Sequence, residues 1–123
     1  YYQRGLSYYK QVSYPEALKD FSEAIRLNAQ FADAYYQRAT VRFYLKDSQG
    51  AIEDFTASLQ LNPNEVYAHM NRGIIRRSLK DAKGTLEDFD QVVQLAPSSR
   101  AYFNRALARA MNGDRPGTIE DLT

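Results

Sequence analysis

The chain has no cysteine and a single histidine, His69. The first absence excludes disulfides and thiolate metal sites while leaving the redox compartment open, and the second leaves no histidine pair at ligand spacing. His69 therefore reads as a lone surface histidine. An excess of either charge is lacking too: 16 basic against 15 acidic residues give a net charge of +1. Nucleic acid and anionic membranes are bound through a basic excess gathered on one face, so neither partner is expected. No apolar run approaches the roughly 18 residues that cross a bilayer. No signal peptide is visible, and a chain beginning at Tyr1 says little about its compartment. A cytoplasmic location is the expectation. The six glycines, at 5, 50, 73, 84, 113 and 117, form no phosphate-cradling loop, and no serine or threonine stands in a nucleophile elbow. At 44% hydrophobic and 25% charged over 123 residues, the chain is an ordinary globular one with enough length for one core.

What is present is a repeat. Gln3-Arg4-Gly5, Lys19-Asp20-Phe21 and Leu27-Asn28-Ala29 return as Gln37-Arg38-Ala39, Glu53-Asp54-Phe55 and Leu61-Asn62-Pro63. They return again as Asn71-Arg72-Gly73, Glu87-Asp88-Phe89 and Leu95-Ala96-Pro97, and in part as Asn104-Arg105-Ala106 and Glu120-Asp121-Leu122. Arginines at 4, 38, 72 and 105 and aspartates at 20, 54, 88 and 121 step by 34, 34 and 33. The shorter step falls between Pro97 and Asn104. A period near 34 is that of stacked helical hairpins. Inside each unit the spacing is helical: Leu18, Phe21 and Ile25, then Ile52, Phe55 and Leu59, then Leu86, Phe89 and Val93 share one helix face. Ser13, Asp47, Asp81 and Asp114 recur as N-caps of the second helix, with Glu16 completing a capping box for Ser13. Pro15 and Pro116 fit a first helical turn, and Pro63 and Pro97 end a second helix.

Small residues at Gly5, Ala39, Gly73 and Ala106, others at Ala17, Ala51, Thr85 and Thr118, and aromatics at Phe21, Phe55 and Phe89 resemble the tetratricopeptide repeat along the whole chain. Thr85 and Thr118 depart from the family's alanine, and Ala29 from its proline. The resemblance implies an all-α fold, a right-handed superhelical solenoid of antiparallel helix-turn-helix hairpins. One array covers 1–123, with repeats at approximately 1–31, 32–65, 66–99 and 100–123, the first and last truncated. The small residues at 5, 39, 73 and 106 are expected where two helices of a hairpin touch. The Arg and Asp columns, always sixteen apart, suggest an ion ladder between helices, against a charged binding strip. The ladder is the better reading, because the arginines share a face with the small packing residues.

In the family the first helix of each hairpin lines a concave groove. A helical wheel puts Tyr35, Arg38, Ala39 and Arg42 on the packing side and Tyr36, Gln37, Thr40, Phe43 and Tyr44 opposite. The equivalents are Tyr2, Gln3, Leu6, Tyr9 and Lys10; Met70, Asn71, Ile74, Arg77 and Ser78; and Phe103, Asn104, Leu107, Ala110 and Met111. About half of these are expected to pack against neighbouring repeats instead. Gln3, Gln37, Asn71 and Asn104 set a carboxamide at one point of every repeat. That column resembles the asparagine ladder of the O-linked N-acetylglucosamine transferase, able to pair with a peptide backbone. The alternative is that these amides are solvated or bond a neighbouring helix. The clamp with which family members hold a chaperone's C-terminal carboxylate is not matched: Tyr2, Leu6, Gln37, Tyr67 and Asn71, or Tyr36, Thr40, Asn71, Arg100 and Asn104, stand at its positions.

The Glu-Asp doublets at 53–54, 87–88 and 120–121 recur once per repeat, whereas an active site needs one asymmetric cluster. No catalytic residue, metal site or cofactor is expected. The expected function is a protein-interaction scaffold that holds a peptide or protein in the groove. The alternative is an assembly, homo-oligomerisation or spacer module of a larger protein acting through uncapped ends.

Overall fold

The computed structural model describes residues 1–10 and 13–113, with side chains from 1–7 and 13–113. The described residues form seven helices: α1 (Tyr2–Lys10), α2 (Tyr14–Leu27), α3 (Ala32–Tyr44), α4 (Ser48–Leu61), α5 (Val66–Ser78), α6 (Ala82–Leu95) and α7 (Ser99–Met111). Asp114, Pro116, Thr118, Glu120 and Asp121, named above by register, lie outside the described residues, as does the side chain of Tyr9.

The turns inside the hairpins show how tightly the repeat is wound. Leu45, Lys46 and Asp47 join α3 to α4, and Leu79, Lys80 and Asp81 join α5 to α6. Lys46 and Lys80 are left-handed, with φ of 70° and 63°. Their N–H groups donate to the carbonyls of Phe43 and Arg77 at 3.0 Å, and those of Asp47 and Asp81 to Arg42 and Arg76 at 2.8 and 2.9 Å. This is the paired bonding of a Schellman stop. The same aspartates then start the next helix, each carboxylate accepting from the N–H of Gly50 or Gly84 at 2.9 or 3.0 Å. Ser13 departs from the expected capping box: its side chain makes no cap hydrogen bond. Pro15, second in α2, has no N–H, which removes one of the two donors a cap oxygen can reach. Pro63 and Pro97 follow helix ends as expected, yet α2 ends at the equivalent Leu27 with Ala29 in proline's place. The three C-cap N–H groups of Asn28, Asn62 and Ala96 all bond back four residues, so the proline is not what stops the helix.

The chain divides into two compact units, Tyr1–Pro63 and Asn64–Thr123. In the first, α1 packs on α2, α2 on α3 and α3 on α4, and α1 also reaches α3. Phe21, Ala17 and Val41 form a buried cluster, with Tyr2, Leu6, Tyr14 and Leu18 packed onto it. In the second unit α6 lies against both α5 and α7. Its cluster is Phe89, Val92, Val93, Ala101 and Ala108, flanked by Val66, Met70 and Leu86. The recurrent small residues sit at the expected contacts. A Cβ on Gly5 would come within 2.7 Å of the Phe21 ring, and one on Gly73 within 3.1 Å of the Asp88 Cβ. Thr85 is fully buried, and its hydroxyl donates to the Asp81 carbonyl at 2.7 Å, so threonine substitutes for alanine without an orphaned polar atom.

Candidate interaction surface

Each second helix turns one aspartate inward, and the first helix of its hairpin neutralises it. Arg4 grips Asp20 through Nε at 2.6 Å and Nη2 at 2.8 Å, and Arg38 grips Asp54 with the same fork at 2.8 Å for both bonds. Arg72 reaches Asp88 at 2.6 to 3.1 Å. The fork holds the Asp20 carboxyl below the usual carboxylate range, and the Asp54 carboxylate raises the Arg38 guanidinium above its own. A second arginine, one turn on, adds to the later sites: Arg42 lies 2.9 Å from Asp54 and Arg76 3.1 Å from Asp88. The Arg–Asp columns are therefore a ladder inside the hairpins. Arg105, whose expected partner Asp121 is outside the described residues, stands 3.7 Å from Asp90.

His69 is not the surface residue its isolation suggested. It is buried, with Nδ1 3.4 Å from Asp88 Oδ1. The reason is its column. Tyr1, Tyr35 and Tyr102 stand three residues before Arg4, Arg38 and Arg105, whose guanidiniums lie over the rings at 5.3, 5.7 and 5.2 Å. His69 fills that place before Arg72 and so faces α6. With its lone pairs taken by guanidinium, each buried aspartate is scaffold chemistry, not a general base. Among the described residues no group of three or more His, Asp or Glu is placed to hold a metal ion.

The other side of the first helices sorts into two classes. Tyr2 packs on Phe21 and Phe31 with ring centroids 5.7 and 4.6 Å away, Tyr36 meets Phe55 edge-on at 5.5 Å, and Leu6 and Met70 flank the buried clusters. These four are packing residues. Thr40 is half-buried, its hydroxyl donating to the Tyr36 carbonyl at 3.1 Å. Phe43, Tyr44, Ile74, Phe103 and Leu107 are exposed, led by Phe103 at 51% and Tyr44 at 49%. Arg77 is half-buried beside the Phe89 ring, 5.9 Å from its centroid. The amide column divides as well. Gln3 is exposed, while Gln37, Asn71 and Asn104 are half-buried. Burial and the Asp33 carboxylate raise the Tyr2 phenol, and a hydrogen bond from the Gln37 side chain opposes them.

Two residues weighed from the sequence only as positions of an unmatched clamp, Tyr67 and Arg100, stand at the other end of α5 and α7. Tyr67, 64% exposed, and the exposed Arg100 open onto a pocket within the second unit. Both occupy one register, a turn before the residues singled out from the sequence.

Residues 32–65 match the family model of the tetratricopeptide repeat. Solved structures carry the likeness across the rest. MamA from Desulfovibrio magneticus RS-1 is 28% identical over 97% of this chain and 68% of its own, with a TM-score of 0.87. The Arabidopsis OM64 TPR domain is 28% identical over 89% of this chain and 91% of its own, with a TM-score of 0.79. The second hairpin is thus a tetratricopeptide repeat, and the described residues as a whole share the fold of tetratricopeptide repeat proteins. The chain's repeats also share their fold with the first TPR of Spaghetti (RPAP3), solved with an HSP90 peptide. That structure is 23% identical over 91% of this chain and 87% of its own, at a TM-score of 0.79. The chain spans about two thirds of the length of the MamA structures it matches. No curated protein sequence matches it. As a helical repeat solenoid it has its chemistry in columns, which is why the buried aspartates recur. Among the described residues no helix is long and apolar enough to cross a membrane.

Proposed function

We propose that these repeats are a protein-interaction scaffold holding a peptide or protein against the face lined by the first helices, the family's concave groove. The observation that carries this is the contrast between two sets of apolar side chains. Those of the second helices that point inward, Phe21, Phe55 and Phe89, are wholly buried, whereas Phe43, Tyr44, Ile74, Phe103 and Leu107 of the first helices remain 37–51% exposed, Tyr44 even while stacked on Tyr14. Exposed apolar side chains of this kind, present in each unit, mark docking surfaces. The RPAP3 repeats, solved with a bound peptide, and YrrB, a TPR protein with an unusual peptide-binding site, put the same fold to this use. One continuous array over 1–123 and an intracellular partner form part of the same reading.

The test is capture of partners from cell extract on the immobilised chain, read by mass spectrometry beside a Phe43→Ala/Tyr44→Ala/Phe103→Ala/Leu107→Ala variant. Tyr36 and Met70 are left intact because they pack the hairpins. Partners lost from the variant while its helical content is unchanged support the scaffold. Equal retention by both proteins would overturn it, and retention of the chain alone would favour the assembly reading.

A further inference from the structure

We infer that the second unit contains a subsite for an apolar side chain flanked by a carboxylate, which deepens the scaffold reading and rests on it. A pocket of about 360 Å³ opens between α5, the end of α6 and the start of α7. That is the lower end of the roughly 300–1,000 Å³ range of small-ligand pockets, and leaves room for a leucine- or phenylalanine-sized group. Val66 and Met70 form its wall, the buried Val92 and Ala101 its base, and Tyr67 and Arg100 its exposed mouth.

Arg100 supplies the second half of the argument. Arg4, Arg38, Arg42, Arg72, Arg76 and Arg105 are all ion-paired, Arg26 pairs with Glu23, and Arg77 lies beside a ring. Arg109 also has a partner. Arg100 makes no ion pair, hydrogen bond or ring contact among the described residues. It also stands in the first turn of α7, which holds no acidic residue and where the helix dipole disfavours a cation. A carboxylate beside it would gain from the guanidinium and from that dipole together. Glu65, the acid adjacent in sequence to the pocket residues Val66 and Tyr67, is engaged in capping α5 through the Tyr67 N–H at 3.3 Å. The occupant that satisfies both halves is a peptide segment with a large apolar residue in the pocket and an adjacent Asp or Glu at Arg100.

The experiment selects a displayed library of random octapeptides on the full chain, on Arg100→Glu, and on Ala96→Phe, whose new ring enters the pocket from its edge. All three are checked for unchanged helical content. The expected result is enrichment of an acidic residue next to Leu, Ile or Phe by the wild type. Arg100→Glu should replace the acid with Lys or Arg, and Ala96→Phe should remove the apolar preference. A synthetic peptide from the wild-type selection should bind Arg100→Glu more weakly by roughly tenfold or more, and more weakly to the wild type as salt is raised. Enrichment without the acidic-apolar pair, or a pair indifferent to Arg100→Glu, overturns the subsite and leaves the scaffold standing. Selection of no peptide at all overturns both.

Discussion

Asp54 offers a quantitative test of the ion ladder. Its side chain is 4% exposed and meets Arg38, 16% exposed, through two bonds of 2.8 Å and Arg42, 25% exposed, at 2.9 Å. Arg38→Leu removes the fork but leaves Asp54 with Arg42, so a loss of about 2 kcal/mol is expected, a few charge-assisted bonds less their solvation. Asp54→Leu is worse. It leaves two half-buried guanidiniums without a carboxylate, Arg38 keeping the Ser22 hydroxyl at 3.3 Å and the Tyr35 ring, and one-sided removal of a buried pair costs about 3–5 kcal/mol. In the double variant one of those orphaned charges is gone as well, so its loss should match Asp54→Leu alone. Additivity instead predicts about 5–7 kcal/mol, from the sum of those two estimates. Urea titration followed by far-ultraviolet circular dichroism separates the two outcomes. With a slope of about 2 kcal/mol per M, Asp54→Leu should lower the midpoint by about 2 M, and adding Arg38→Leu should lower it little further. Additive losses within about 0.5 kcal/mol would refute the pairing.

Other expectations follow from the same geometry. The folded Asp20 carboxyl titrates below its unfolded value of about 3.9, so the stability it contributes is present above that pH and is lost as pH falls through the folded value. The gap in melting temperature between wild type and Asp20→Asn should therefore be widest near neutrality and close below about pH 4. Asp47→Ala and Asp81→Ala should each cost about 0.5–2 kcal/mol in the same titration, and Ser13→Ala distinctly less, since Ser13 forms no cap bond. Equal losses at all three would contradict the cap assignments. Gly5→Ala should destabilise despite its better helix propensity, because its Cβ meets the buried Phe21 ring, and Gly73→Leu should overpack by roughly 1–3 kcal/mol; unchanged melting would count against both. Lys46→Gly should raise stability by about 0.5–1 kcal/mol, because it relieves a left-handed lysine.

Columns that recur in every repeat were legible in the sequence. Gly5 with Ala39, Gly73 and Ala106, and Arg4 with Arg38 and Arg72, give the same reading several times over, and packing follows directly from register. Features carried by one repeat were not. His69 has no histidine counterpart, and its place is visible only once Tyr1, Tyr35 and Tyr102 are recognised as a column beneath the arginines. The second arginine at Arg42 and Arg76 joins a carboxylate already assigned to another partner, so spacing alone gave no reason to count it. Among the groove residues, the wheel separates one side of a helix from the other but not a ring that leans onto the next helix, like Tyr36, from one that stays in water, like Phe103. The pocket at Arg100 depends on three helices and a connection meeting, which no single-helix pattern encodes.

The turn within each hairpin has no residue to spare. Asp47 and Asp81 each close one helix with their N–H and open the next with their carboxylate, so a single added residue would separate two jobs that one side chain performs. The connections between hairpins are under no such constraint: four residues, 28–31, join α2 to α3, while three, 96–98, join α6 to α7. The chain is thus lengthened without penalty at only one kind of junction, and an inserted epitope tag, a grafted recognition loop or a natural insertion belongs between hairpins rather than within them.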